Sequence, residues 1–131
     1  MQIQNPSKVT VGNNYYNNVT VLKDKKIFYF FSEQSNITIR NETLINNVLD
    51  DLYTIGAAKN VIVEDFVVIN NTNTGAITET SAVLRVSTAR DSCQISRFSV
   101  SRSKFKYGKA IEIEQARQLI FKDASYHLNS L

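Results

Sequence analysis

The stretch Asn41-Glu42-Thr43-Leu44-Ile45-Asn46-Asn47-Val48-Leu49-Asp50-Asp51-Leu52-Tyr53-Thr54-Ile55-Gly56 decides how the fold reads. Leu44, Ile45, Val48, Leu49, Leu52 and Ile55 recur at the three- and four-residue steps that put side chains on one helical face. Asn41 is suited to cap the N-terminus, Glu42 complements the dipole in the first turn, and Gly56 supplies a C-terminal stop. The spacing predicts a helix over 41–56. Near the other end, Ala116, Leu119, Ile120, Ala124 and Leu128 repeat the pattern and predict a second helix over 115–128.

Outward from these segments the chain reads as strands. Residues 8–11 and 18–22 alternate apolar and polar side chains, and the run Ile27-Phe28-Tyr29-Phe30-Phe31 suits a strand buried on both faces. Between them, Lys23-Asp24-Lys25-Lys26 reads as a hairpin turn. Ile37-Thr38-Ile39, 61–63 and 66–69 add short strands, and Asn70 to Gly75 reads as a loop. Residues 82–89 and 94–103 form a hairpin, with Arg90-Asp91-Ser92-Cys93 as its turn. The expectation is one α+β domain, a mostly antiparallel sheet with two helices. A faint likeness between Ile37-Thr38-Ile39 before Leu44-Ile45 and Ile111-Glu112-Ile113 before Leu119-Ile120 suggests two halves, each of strands followed by a helix.

Charge is segregated. Of the 15 Lys and Arg residues, seven lie between Arg85 and Lys109, where only Asp91 opposes them. That window carries 7 − 1 = +6 and the remainder 8 − 11 = −3, giving the net +3. Arg85, Arg90, Arg97, Arg102, Lys104, Lys106 and Lys109 are interleaved with Ser99, Ser101, Phe105 and Tyr107. Cations for phosphates, hydroxyls for short hydrogen bonds and rings for stacking are what an extended single strand of nucleic acid needs. The alternative is a solvated sheet edge whose charges discourage aggregation.

Enzymatic chemistry finds little support. His127 is the only histidine and Cys93 the only cysteine, so neither a multi-histidine metal site nor a Cys–His pair of familiar spacing is present. Four glycines are too scattered for a phosphate-binding loop. The readings are no enzyme, no metal and no small-molecule cofactor. The single cysteine, the lack of a visible signal peptide and the absence of any membrane-length apolar run point to an intracellular protein without a membrane partner. The four Asn-x-Ser/Thr triplets then count as by-products of an Asn-rich composition, one that also suggests a viral or mobile-element source.

The strands of Arg85–Tyr107 followed by the Gln115–Leu128 segment resemble the architecture of the Whirly, Pur and related single-stranded-DNA-binding proteins. Size, Asn/Ile/Tyr-rich composition and the basic strand also resemble small non-OB-fold single-stranded-DNA-binding proteins of archaeal rod-shaped viruses. The resemblance implies a homodimer with a basic cleft and sequence-tolerant binding of single-stranded nucleic acid, DNA before RNA. The alternative function is a non-enzymatic structural, assembly or adaptor protein whose basic hairpin docks on an acidic partner.

Overall fold

The computed structural model describes residues 2–3, 8–21, 28–73, 81–105 and 108–127, and none of them is helical. Among the described residues eleven strands follow one another: β1 (Gln2–Ile3), β2 (Lys8–Gly12), β3 (Tyr15–Asn17), β4 (Phe28–Phe31), β5 (Asn36–Ile45), β6 (Val48–Leu49), β7 (Tyr53–Ile69), β8 (Thr72–Asn73), β9 (Ser81–Ser101), β10 (Gly108–Lys122) and β11 (Ser125–His127). Every strand pairing is parallel. The chain winds as a parallel β-solenoid, each coil stacking on the one before.

The α+β expectation is therefore corrected: neither helix is present among the described residues, and the sheet is parallel rather than antiparallel. Residues 41–56 are the end of β5, β6 and the start of β7, not a helix. Residues 115–127 of the second expected helix are the end of β10 and β11, while Leu128 and the turn at 23–26 lie outside the described residues. The expected hairpin is one continuous parallel strand, β9, which pairs with β7 on one side and β10 on the other. The two-halves reading is replaced by a shorter repeat. Ile37 stacks between Val9 and Val61, whereas Ile111 stacks on Leu84.

The true repeat is one coil. Val9, Ile37, Val61, Cys93 and Leu119 form one inward ladder, and Val11, Ile39, Val63, Ile95 and Phe121 form the next. Successive coils advance by 28, 24 and 32 residues, as the ladder hydrogen bonds Asn41–Asn13, Asn60–Asn36 and Ser92–Asn60 record. Three strand faces recur, exemplified by residues 36–40, 43–45 and 53–57. Their inward side chains fill one core, in which the rings of Phe28, Tyr53, Phe66 and Phe98 run in contact along the axis.

Two sharp bends per coil explain the asparagine content. Asn13, Asn41, Asp65, Arg97 and Asp123 stack at one bend, and Asn18, Asn46, Asn70 and Arg102 at the other; all nine have φ between 50° and 61°. Asn and Asp tolerate this left-handed conformation better than other residues with a Cβ. Beside the second bend a buried column closes each coil onto the previous one. Val19 N–H donates to Asn47 Oδ1 (2.8 Å), Asn47 N–H to Asn71 Oδ1 (2.9 Å), and Asn71 N–H to Ser103 Oγ (3.1 Å). The Asn71 amide also donates to the Leu44 carbonyl at 2.8 Å.

Asn71→Ala strands buried groups on both neighbouring segments and is expected to lower the unfolding free energy by about 2–4 kcal/mol. Asn70→Gly, one residue away at a positive-φ bend, is expected to change it by less than about 1 kcal/mol. Urea unfolding of the two variants checks the contrast.

Candidate functional site

The basic window does not form one face. β9 carries Arg85 on the third face, Arg90 where the strand passes to the next face and Arg97 at the first sharp bend, and Arg102 follows the strand at the second. Arg85 Nε donates to Glu112 at 2.9 Å and its guanidinium lies 3.6 Å from Asp51. Lys109 reaches the other oxygen of Glu112 at 3.1 Å. Burial acts to raise the Glu112 pKa, but Lys109 and Arg85 outweigh it and hold the carboxyl below its usual range. Arg97 forks onto Asp65 at 2.5 and 3.1 Å and holds that exposed carboxyl low as well.

The remaining window residues divide. Arg90, Arg102 and Lys104 are exposed and make no ion pair among the described residues. Ser99 and Ser101 are half-buried on the outer side of the second face. Phe105 is buried, 2% exposed, and Phe98 stacks on Phe66 with ring centroids 4.9 Å apart. Lys106 and Tyr107 lie outside the described residues. The structure thus brings Arg85 and Lys109 together on Glu112, spreads the other cations around the coil, and turns Phe105 into the core.

Cys93 is not in a turn. It is an inward ladder residue whose thiol is pushed up to about 11 by burial, so it stays protonated and unreactive at neutral pH. Among the described residues no three His, Cys, Asp or Glu side chains gather as a metal site.

Two features escape a reading by sequence pattern. One is a buried carboxyl. Glu42, fully buried, accepts from the backbone N–H (3.2 Å) and the amide (2.9 Å) of Asn14, and Tyr53 and Tyr16 lie beyond with hydroxyls 3.4 Å apart. Burial raises the Glu42 pKa, with the hydrogen bonds from Asn14 and Tyr53 opposing the shift.

The other feature is the C-terminal end of the solenoid. Cys93 and Ile95 are wholly buried, yet Leu119 and Phe121, which continue their ladders, are each 48% exposed. Ile111 and Ile113 are half-buried beside them. These four side chains, with Phe98 and Phe105 behind, line an apolar concavity of about 580 Å³. Leu119-Ile120-Phe121 repeats the pattern of Val61-Ile62-Val63, which is the signal that marks it as a further core rung. The first coil differs: Val9, Val21, Phe28 and Phe30 are all at most 9% exposed.

The fold and this open end define a β-solenoid segment with one closed and one uncovered apolar end. Comparison with protein-family models, curated proteins and solved structures finds no match to the chain.

The raised pKa of Glu42 has a definite linkage sign. Its contribution favours folding at acid pH, near and below the unfolded value of 4.5, and is lost as pH rises through the higher folded value. Glu42→Gln keeps the hydrogen bonds if the Asn14 amide turns over. It is expected to raise the melting temperature near pH 7 by roughly 3–6 °C and to converge on the parent protein below the unfolded pKa. Thermal melts across pH test this, and a variant less stable at neutral pH would refute it.

Proposed function

We propose that this chain is a non-enzymatic structural module, a rigid solenoid segment that docks end-on in an assembly. The observation that carries the reading is the uncovered rung at Leu119 and Phe121, whose equivalents one coil earlier are entirely buried. Burying a side chain of this size contributes about 1.5–3 kcal/mol, so an end that leaves two of them half in water is a strong docking surface. The polar neighbours Lys109, Glu112, Glu114 and Lys122 frame it, as an interface rim does.

Single-stranded nucleic-acid binding is the second reading, favoured by the exposed cations Arg90, Arg102 and Lys104. It ranks lower because Arg85, Arg97 and Lys109 already neutralise carboxylates and because Phe98 and Phe105 stack inside. Anisotropy titration of a labelled strand of roughly 30 nucleotides, and of the matching duplex, separates the two. The structural reading expects weak binding without preference for the single strand. Tight, salt-sensitive, strand-selective binding abolished by Arg90→Glu with Arg102→Glu would overturn it.

A further inference from the structure

The occupant of the open end follows from the pattern of β10, on the reading that this end is a docking surface. We propose that it is a second copy of the same chain, joined end to end across a two-fold axis at Ala116, with the two β10 strands antiparallel. Ala116 sits at the bend where β10 passes from the third face to the first, marked by the register shift between Ala116 and Gln118. A two-fold axis there lays the third face of one copy over the first face of the other. Ile111 then meets Phe121 and Ile113 meets Leu119, each pair twice, so the four large inward side chains of the uncovered rung cover one another, while on the outward side Ile120 meets Glu112 and Ala110 meets Lys122.

The charges agree with this register. Lys109 faces Asp123, Glu114 faces Gln118, Gln115 faces Arg117, and Gly108 faces Ala124; no like charges oppose each other anywhere along the strand. Sliding by one residue in each copy destroys the match. In one direction Arg117 of one copy opposes Arg117 of the other, and in the other direction it opposes Ile113 while Lys109 opposes Phe121. Antiparallel partners must also share an inward or outward facing, and the matched pairs do. A head-to-tail stack would instead set the apolar end against the first coil, where Val9 and Phe30, the counterparts of Leu119 and Ile113, are already buried and Val11, the counterpart of Phe121, is half-buried. Only the two-fold arrangement matches an open end with an open end.

Analytical ultracentrifugation of the full chain over a concentration series, together with mild oxidation of Ala116→Cys, tests the proposal. A dimer is expected, with Ala116→Cys crosslinking to itself while the buried Cys93 stays reduced, since the axis brings the two positions within disulfide reach. Phe121→Glu, at a position 48% exposed, should raise the dimer dissociation constant by roughly tenfold or more. Lys109→Asp and Asp123→Lys should each weaken the dimer, and the double variant should restore it. A monomer at all concentrations would overturn the proposal. Open-ended assemblies, or a dimer without the Ala116→Cys crosslink, would overturn the two-fold register while leaving the end-docking reading in place. That reading is judged separately by the oligonucleotide titration.

Discussion

Each coil of this solenoid must turn its backbone through a buried corner without leaving a polar group dry and unpaired, and the Asn47–Asn71–Ser103 column meets that demand. A buried amide N–H without a partner costs about 1–3 kcal/mol, and the same corner recurs in every coil. Asn47 and Asn71 each accept an N–H from the preceding coil and return the amide to a carbonyl, Tyr16 O and Leu44 O respectively. The neighbouring bend residues Asn18, Asn46, Asn70 and Arg102 supply the left-handed φ that turns the chain at the required point. Parallel pairing, the inward ladders and the ring stack all inherit their register from this column.

Once register is fixed, the core can carry both rings and a carboxyl. Tyr53 packs edge-on against Phe28 and Phe66, so its hydroxyl emerges beside Tyr16 and Glu42. The carboxyl occupies the rung position that Phe66 and Phe98 fill in the next two coils. Replacing a ring by an acid at that position is possible because Asn14 donates two hydrogen bonds to it. The first coil is thereby closed by polar contacts as well as by packing, in contrast to the last.

The sequence carried the strands more clearly than their arrangement. The alternating runs at 8–11, 37–39 and 61–63 are strands in the structure, but nothing in a period-2 pattern distinguishes parallel from antiparallel neighbours. The segment 41–56 imitates a helix for a physical reason. Each bend interrupts the alternation, so burial falls at Glu42, Leu44 and Asn47 and then runs unbroken from Leu49 to Ile55, and the apolar residues among these positions overlap the helical template. Unequal coil advances of 28, 24 and 32 residues hid the repeat from a search at fixed period. The legible clue was the asparagine itself. Asn pairs at 13–14, 17–18, 46–47 and 70–71 are spaced as coil corners; each holds a left-handed bend residue, and those at 46–47 and 70–71 add the buried amide. Charge segregation in the Arg85–Lys109 window was equally visible, but charge along a strand does not reveal which carboxylates of neighbouring coils will meet it.

A solenoid grows by adding rungs, so its stability at each end depends on what stops the growth. β10 pairs with β9 on one side only among the described residues, and a free edge of that length is an open invitation to other strands. Its outward-facing Glu112 and Glu114 and its bend residue Arg117 set a charge pattern that an arbitrary strand does not satisfy, while the inward Leu119 and Phe121 reward any partner that does. Non-specific addition is penalised by unpaired charge and specific addition is driven by apolar burial. In the first coil the inward Val9 and Phe30 are already covered, and the exposed rings of Tyr15 and Phe31 do not belong to those two inward ladders. The asymmetry between the two ends gives this fold a direction along its axis.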